Sequence, residues 1–421
     1  MRNPRRSASS LIVSFASVAV LAVLAGCSAP DAADTNPVIR LALPSPGEGI
    51  IATIDSVALE FEEETGVAVE VNYLDNALYE TIGLQNVLTS RDAPDIYWEW
   101  TGARIEARVE QGQAADLSEA IEGGALDGLI SAENWNSVSV DGVPRLVPYQ
   151  FRVANVLWFD EDRLSAVGLT APQTWDELLD ACQVLNAQGI TPISIGNLDL
   201  WPAGNWLGHL ASRIVGDDVY AAALSGESGF DDPSWVTAFE HMAELTENRC
   251  LNESFPAANA TEGSQLFLQG ASAMHFNGAW FLERARNEAP DLDVKFVNLP
   301  ELPNERSSNS IISVMTGFAV NAQSENQDLA IDFLAFMNSD DNLAKFIDAG
   351  ALPVAAYGNS DFEVDPRQED LNRLVEQASS NILPPDTGFD LERADAFYRA
   401  VANVLSGELA PADAPASIAQ N

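Results

Sequence analysis

The stretch Val38-Ile39-Arg40-Leu41-Ala42-Leu43, with the breaker run Pro44-Ser45-Pro46-Gly47-Glu48-Gly49 behind it, decides how this chain folds. The first six residues suit a strand, and the Pro/Gly run ends it. Residues 50–64 then carry apolar side chains at helical spacing until Gly66 stops them. Val67-Ala68-Val69-Glu70-Val71 alternates as a second strand. A helical stretch through Leu78, Ile82 and Val87 leads to Pro94-Asp95-Ile96-Tyr97-Trp98, a third. The order β-α-β-α-β predicts an α/β fold whose mainly parallel sheet is flanked by helices. Ligands on such sheets sit at loops beyond the carboxyl ends of the strands, here 44–49 and 98–102.

Upstream, Arg2, Arg5 and Arg6 precede an apolar run from Leu11 to Ala25, the pattern of a secretory signal and too short for a finished membrane span. The run closes on Leu24-Ala25-Gly26-Cys27, which resembles a bacterial lipobox. Residues 1–26 are therefore expected to be cleaved and Cys27 to carry a lipid, with 27–37 as a flexible tether. The expected location is extracytoplasmic, anchored to the cell membrane through the Cys27 lipid. Removing the leader leaves 18 basic against 63 acidic residues, a formal charge of −45, which excludes nucleic acid as a partner. Cys182 and Cys250 remain as an even pair in an oxidising compartment, where a disulfide and two buried thiols are both open.

Downstream, a strand-like run from Val153 to Phe159 opens a second unit. Thr174-Trp175-Asp176-Glu177 starts a helix with capping-box spacing, and Ile193-Ser194-Ile195 is a short strand. A tryptophan-rich loop is expected at 201–206, helices around 208–222, 233–248 and 263–269, and strands at 273–276, 293–297 and 313–320. A helix over 328–337 and two more from 366 and 391 precede a polar tail. So long a chain exceeds what one core usually serves, which favours two lobes. The expected division is 38–150 plus 300–340 against 151–299 plus 341–421.

Several of these pieces occur in an order that resembles the family 1 extracellular solute-binding proteins, the sugar-binding components of ABC importers. They are Ala93-Pro94-Asp95-Ile96-Tyr97-Trp98, Val147-Pro148-Tyr149, Leu157-Trp158-Phe159-Asp160, Thr174-Trp175-Asp176-Glu177-Leu178, Ala273-Met274, Asn277-Gly278-Ala279-Trp280 and Leu299-Pro300. The resemblance implies a hinged, two-lobed periplasmic-binding-protein-like fold of type II. It places chain crossings near 148–154, 294–302 and 340. It implies capture of a sugar, mono- or oligosaccharide, and delivery to an ABC importer permease, by a monomer without catalytic residues.

A pyranose offers apolar C–H faces and a rim of hydroxyls, so its site needs aromatic plates edged by planar polar groups. In the family, the tryptophan after the Ala-Met…Asn-Gly strand lies over a sugar ring, and Trp280 holds that place. Glu99 and Trp100 follow the third strand, Asn205 and Trp206 sit in the tryptophan-rich loop, and Gln150 and Arg152 lie at the first crossing. Glu48 belongs to the first strand-end loop and Asn277 to the turn before Trp280. Asp386 matches the place where the family's last loop reaches the ligand. Gly102 and Ala103 replace an acid and a base of the maltose-binding branch, so maltose is not implied. No metal or cofactor is expected, since His209, His241 and His275 lack zinc spacing. Two alternatives stand beside the sugar: a non-sugar solute such as a polyamine, favoured by the acidity, and an anchored hydrolase, which would need only two carboxylates.

Overall fold

The computed structural model describes residues 37–351, 353–356 and 362–419. The leader and Cys27 lie outside the described residues, as do the tether residues before 37. The strands are β1 (Val38–Pro44), β2 (Ala68–Leu74), β3 (Ile96–Trp100), the small hairpin β4 (Ser139–Val140) and β5 (Val143–Pro144), β6 (Val147–Val153), β7 (Val156–Asp160), β8 (Thr191–Ser194), β9 (Ser272–Asn277), β10 (Val294–Val297), β11 (Ile311–Val320) and β12 (Asn381–Ile382).

The opening stretch folds as its pattern demands. β1 pairs in parallel with β2 on one side and β3 on the other, and the helix Glu48–Thr65 crosses between β1 and β2. Ile50, Ile54, Val57 and Phe61 form its buried stripe, at the spacing that one helix face requires. Gly66, at φ 74°, closes it by donating its N–H to the Glu62 carbonyl, a left-handed cap that favours glycine.

The fold is a two-lobed α/β structure of the type II kind, with sheets flanked by helices. The first sheet runs β12-β11-β3-β1-β2 with β6 also on β11, and the second runs β10-β7-β9-β8. Strand directions are mixed. β11 enters from the other lobe and so meets β3 antiparallel, and in the second sheet only β8 and β9 are parallel. Each sheet carries its own core, one around Leu41, Phe61, Tyr97, Phe318 and Phe333, the other around Trp175, Trp206, Trp235, Phe239 and Phe397.

The lobes are joined by β6 and β11, which pair antiparallel with a register shift between Thr316 and Gly317. A Cβ at 317 would lie 2.4 Å from the Val147 carbonyl oxygen, so glycine is required where the two crossing strands approach. The outgoing crossing is made by β6, and the return is later than 294–302. Residues 298–310 stay with the second core through Leu299 and Leu302, and the return is made by β11. The helix Asp340–Asp348 places Phe346 in the first core, with Ala351 and Val354, so the chain is still packed with the first lobe at Val354 rather than leaving it near 340. Nor is the end a free tail: Ala414 and Ile418 of the helix Ala414–Ala419 are buried in the second core. Cys182 and Cys250 form a disulfide, their Cα atoms 5.1 Å apart, tying the helix Trp175–Ala187 to the end of Ser234–Glu247. Among the described residues no helix is long and apolar enough to cross a membrane.

Candidate binding cleft

A cleft of about 1060 Å³ opens where the carboxyl ends of β1 and β3 face the second lobe. In β3, alternation sends Trp98 and Trp100 toward it and Tyr97 and Glu99 away. Glu99 therefore does not line the cleft. It is fully buried and ion-pairs with Arg108 Nε at 3.0 Å, Arg108 lying on the helix Ala103–Glu110. Trp98 is nearly buried, edge-on to Tyr149 and Phe318. Trp100 is partly exposed, and the Arg104 guanidinium lies 5.0 Å from its ring centroid.

On the crossing strand β6, Gln150 and Arg152 both line the cleft, and the Arg152 guanidinium donates twice to Gln150 Oε1, at 3.1 and 2.7 Å. It also lies over Trp98, 5.3 Å from the ring centroid. That contact and the two hydrogen bonds hold it in place. Glu48, the first residue of its helix, lies exposed at the rim.

In the second lobe, 201–206 is not a loop but the start of the helix Trp201–Val215. Helical spacing puts Trp201 and Asn205 on one face, i and i+4, and turns Trp206 away. Trp201 and Asn205 line the cleft, while Trp206 is fully buried and stacked on Phe276 at 3.6 Å. The Tyr398 hydroxyl donates to Asn205 Oδ1 at 3.0 Å, which aims Asn205 Nδ2 at Asp386 Oδ2, 3.5 Å away.

Asn277 also borders the cleft, but its polar atoms are engaged within the protein. Nδ2 donates to Ser264 Oγ at 3.2 Å and to His275 Nε2 at 3.0 Å, and Oδ1 accepts the Gly278 N–H at 2.8 Å. His275 Nδ1 faces the Ser194 carbonyl at 2.8 Å, which can only accept, so the proton sits on Nδ1 and Nε2 accepts. Burial pushes the His275 imidazolium down to about 4, consistent with a neutral ring. Asn277 thus shapes the turn that carries Trp280. Trp280 is partly exposed, edge-to-face with Trp201 at 5.7 Å, and a Cβ at Gly278 would lie 2.2 Å from its ring.

One end of the cleft is acidic. Glu80, on the π-helical turn Tyr79–Gly83, has its carboxyl pushed up to about 7, chiefly by burial, with Asp386, Asp199 and Asp75 adding to the rise and Arg104 opposing it. Burial likewise raises Asp386. At this end the lobes touch: Arg104 donates Nε to the Asp386 carbonyl and Nη1 to the Glu80 carbonyl, each at 3.1 Å. At the opposite side Glu283 Oε1 is buried beside Gly47, where a Cβ would lie 2.6 Å from it, and burial raises the carboxyl. Among the described residues no His, Cys, Asp and Glu group could hold a metal ion.

Trp98, Trp201, Glu80 and Glu283 escaped the sequence reading as cleft residues. For Trp98 and Trp201 the signal was present, as the i, i+2 partner of Trp100 and the i−4 partner of Asn205. For Glu80 and Glu283 it was not, since their placing depends on how one lobe meets the other.

Residues 46–344 match the family described as bacterial extracellular solute-binding protein. The chain belongs to that family. Membership places it among solute receptors rather than enzymes. This solute-binding protein is 24% identical to the putative ABC transporter periplasmic-binding protein YcjN of Escherichia coli K12, over 82% of this chain and 79% of that one. It is 22% identical to an uncharacterized ABC transporter extracellular-binding protein of Pyrococcus horikoshii, where the match spans 56% of this chain but only 53% of the relative. Among solved structures it superposes with a TM-score of 0.80 on a protein from a study of xylan utilization by Caldanaerobius polysaccharolyticus, at 22% identity over 91% of this chain and 99% of that one. A chitin oligosaccharide binding protein gives the same TM-score at 17% identity, over 91% and 98%.

Proposed function

We propose that this solute-binding protein captures a saccharide between its lobes and hands it to an ABC importer permease. The observation that carries the reading is the convergence of three partly exposed indoles, Trp100, Trp201 and Trp280, on a cleft edged by Gln150, Arg152, Asn205 and Asp386. Indole plates suit the C–H faces of pyranose rings, and planar amide, guanidinium and carboxylate groups suit their hydroxyls. Trp280, Trp100, Gln150, Arg152, Asn205 and Asp386 are the proposed contacts, with Glu48 at the rim and Trp201 added to them. Names of relatives that refer to sugars, xylan and chitin support the same reading. Contacts from both lobes stabilise the closed state over the open one, which gives a permease a loaded form to recognise. Lipidation at Cys27 would hold the receptor near that permease at high local concentration, by the same logic as a tethered binding module.

The acidic end formed by Glu80, Asp199 and Asp386 favours one other reading, a cationic solute such as a polyamine. A thermal-shift screen of mono- and oligosaccharides against spermidine and putrescine separates the two. A ligand at 100 times its Kd adds about 2.7 kcal/mol to the folded state. Stabilisation by a saccharide is expected, and a shift with spermidine but with no saccharide overturns the assignment.

A further inference from the structure

One face of the helix Trp201–Val215 carries Trp201, Asn205, His209 and Arg213, each four residues beyond the last. The first two line the cleft. Arg213, about 18 Å beyond Trp201 at the helical rise, grips the run that leads into β11, the return crossing. It donates Nη1 to the Leu299 carbonyl at 2.6 Å and pairs through Nη2 with Glu305 at 2.6 Å, while its own carbonyl accepts the N–H groups of Arg306 and Ser307 at 2.7 and 3.1 Å. His209 Nε2 lies 3.0 Å from the carbonyl oxygen of Ser310, the residue immediately before β11. A single helix therefore reaches from the cleft to the root of a crossing strand.

His209 is fully buried and Arg213 nearly so. Apolar side chains would fill this space without the cost of desolvating an imidazole and a guanidinium, so packing alone does not account for them. Burial pushes the His209 imidazolium down to about 3, with Arg213 adding to the fall and the Ser310 and Asn155 carbonyls opposing it, so the ring is neutral and carries one N–H. That proton sits on Nε2 here, because the Ser310 carbonyl can only accept, and Nδ1 has no partner. The two carbonyls belong to the two crossings: Ser310 roots β11, and Asn155 stands where β6 passes into β7. One N–H cannot serve both. Asn155 Nδ2 and Ser310 Oγ are likewise buried without partners. The joint thus holds more hydrogen-bonding groups than this arrangement satisfies, which leaves bonds for a second arrangement to make.

We infer that His209 is a positioning residue for lobe closure: its single N–H holds the root of the return crossing at Ser310 while the lobes touch, and passes to the outgoing crossing at Asn155 when they part. Trp201 and Asn205 ride on the same helix, so solute contact and hinge position are linked through it. The inference rests on capture between the lobes and not on the identity of the solute. Its test needs no ligand. Nitroxide labels on Leu59→Cys and Leu391→Cys, exposed positions on the first and second lobes, report interlobe distances by double electron–electron resonance in the full-length protein carrying Cys27→Ser. His209→Gln places an amide N–H where Nε2 stands, and His209→Asn places one where Nδ1 stands. The first is expected to keep the wild-type distribution. The second is expected to shift the ratio of short to long distances by about threefold or more toward the long, as the net worth of one hydrogen bond implies. Near-wild-type melting of both variants controls for folding. His241→Gln, at a buried histidine that pairs with Glu244 away from the crossings, should leave the distances unchanged. Equal distributions for His209→Gln and His209→Asn, whether both match the wild type or both depart from it, overturn the inference, as does a shift of the same size with His241→Gln. The saccharide reading is tested by the thermal-shift screen, so the two fail independently.

Discussion

Glu80 shows how one side chain in the cleft departs from its ordinary chemistry. Its carboxyl is raised to about 7 from a value near 4.5, because burial disfavours the anion and Asp386, Asp199 and Asp75 repel it. Between those two pH values the native state holds a proton that the unfolded chain has released. The stabilisation is therefore complete below about pH 4.5 and is lost as pH rises through about 7. Glu80→Gln, an isostere that cannot ionise, is expected to raise the melting temperature at pH 8 and to leave it nearly unchanged at pH 4.5. Paired thermal melts at the two pH values check this, and a gain independent of pH would contradict it. Glu99, nineteen positions later in the chain, is fully buried, faces Arg108 and plays no part in the cleft.

At the level of elements, helix starts decide which residues reach the ligand. The helix Ala260–Leu268 begins with a complete capping box: Asn259 Oδ1 accepts the Glu262 N–H at 2.8 Å and Glu262 Oε2 accepts the Asn259 N–H at 2.8 Å. Asn259 lines the cleft, yet these bonds commit its side chain to the helix. Asn259→Ala should cost about 1 kcal/mol in urea unfolding, with Asn259→Asp recovering most of it. The helix Trp175–Ala187 was expected to start with the same device and does so only in part. Thr174 Oγ1 accepts the Glu177 N–H at 3.2 Å, but Glu177 Oε2 takes the N–H of Gln173 at 2.8 Å instead of that of Thr174. The backbone there is engaged with the segment leading to β11, the Trp175 N–H donating to the Glu301 carbonyl and the Glu301 N–H to that of Gln173.

Over the whole molecule, the proposed capture depends on two lobes meeting around the solute, and Gly102 marks where the lobes touch. It adopts φ 87°, and a Cβ there would lie 2.3 Å from the Thr387 carbonyl oxygen of the other lobe. Gly102→Ala is expected to wedge the cleft open. Ligand affinity should fall at least tenfold, and the radius of gyration of the saccharide-saturated variant, measured by small-angle scattering, should stay near the ligand-free value. Unchanged affinity would show that this contact is not part of closure. The two lysines of so acidic a chain are both used in bridging elements, Lys295 to Glu161 and Asp293, and Lys345 to Glu60.

The sequence by itself determined the local order: the strand, loop, helix and strand from 38 to 71, the left-handed stop at Gly66, and the strand ends that carry Trp100 and Trp280. These follow from periodicities and from glycine's freedom, which act within a few residues. The alternation 98/100 and the spacing 201/205 were legible by the same rules, and they separate Trp98 and Trp201 from Glu99 and Trp206. Tertiary structure alone decided that β11 makes the return crossing, that Phe346 packs in the first core, and that Asn277 is consumed by His275 and Ser264. It also decided that Glu80, Asp199 and Asp386 share one end of a cleft. Such outcomes depend on contacts between residues tens to hundreds of positions apart, where burial, repulsion and competition for hydrogen bonds act with no regularity along the chain to announce them.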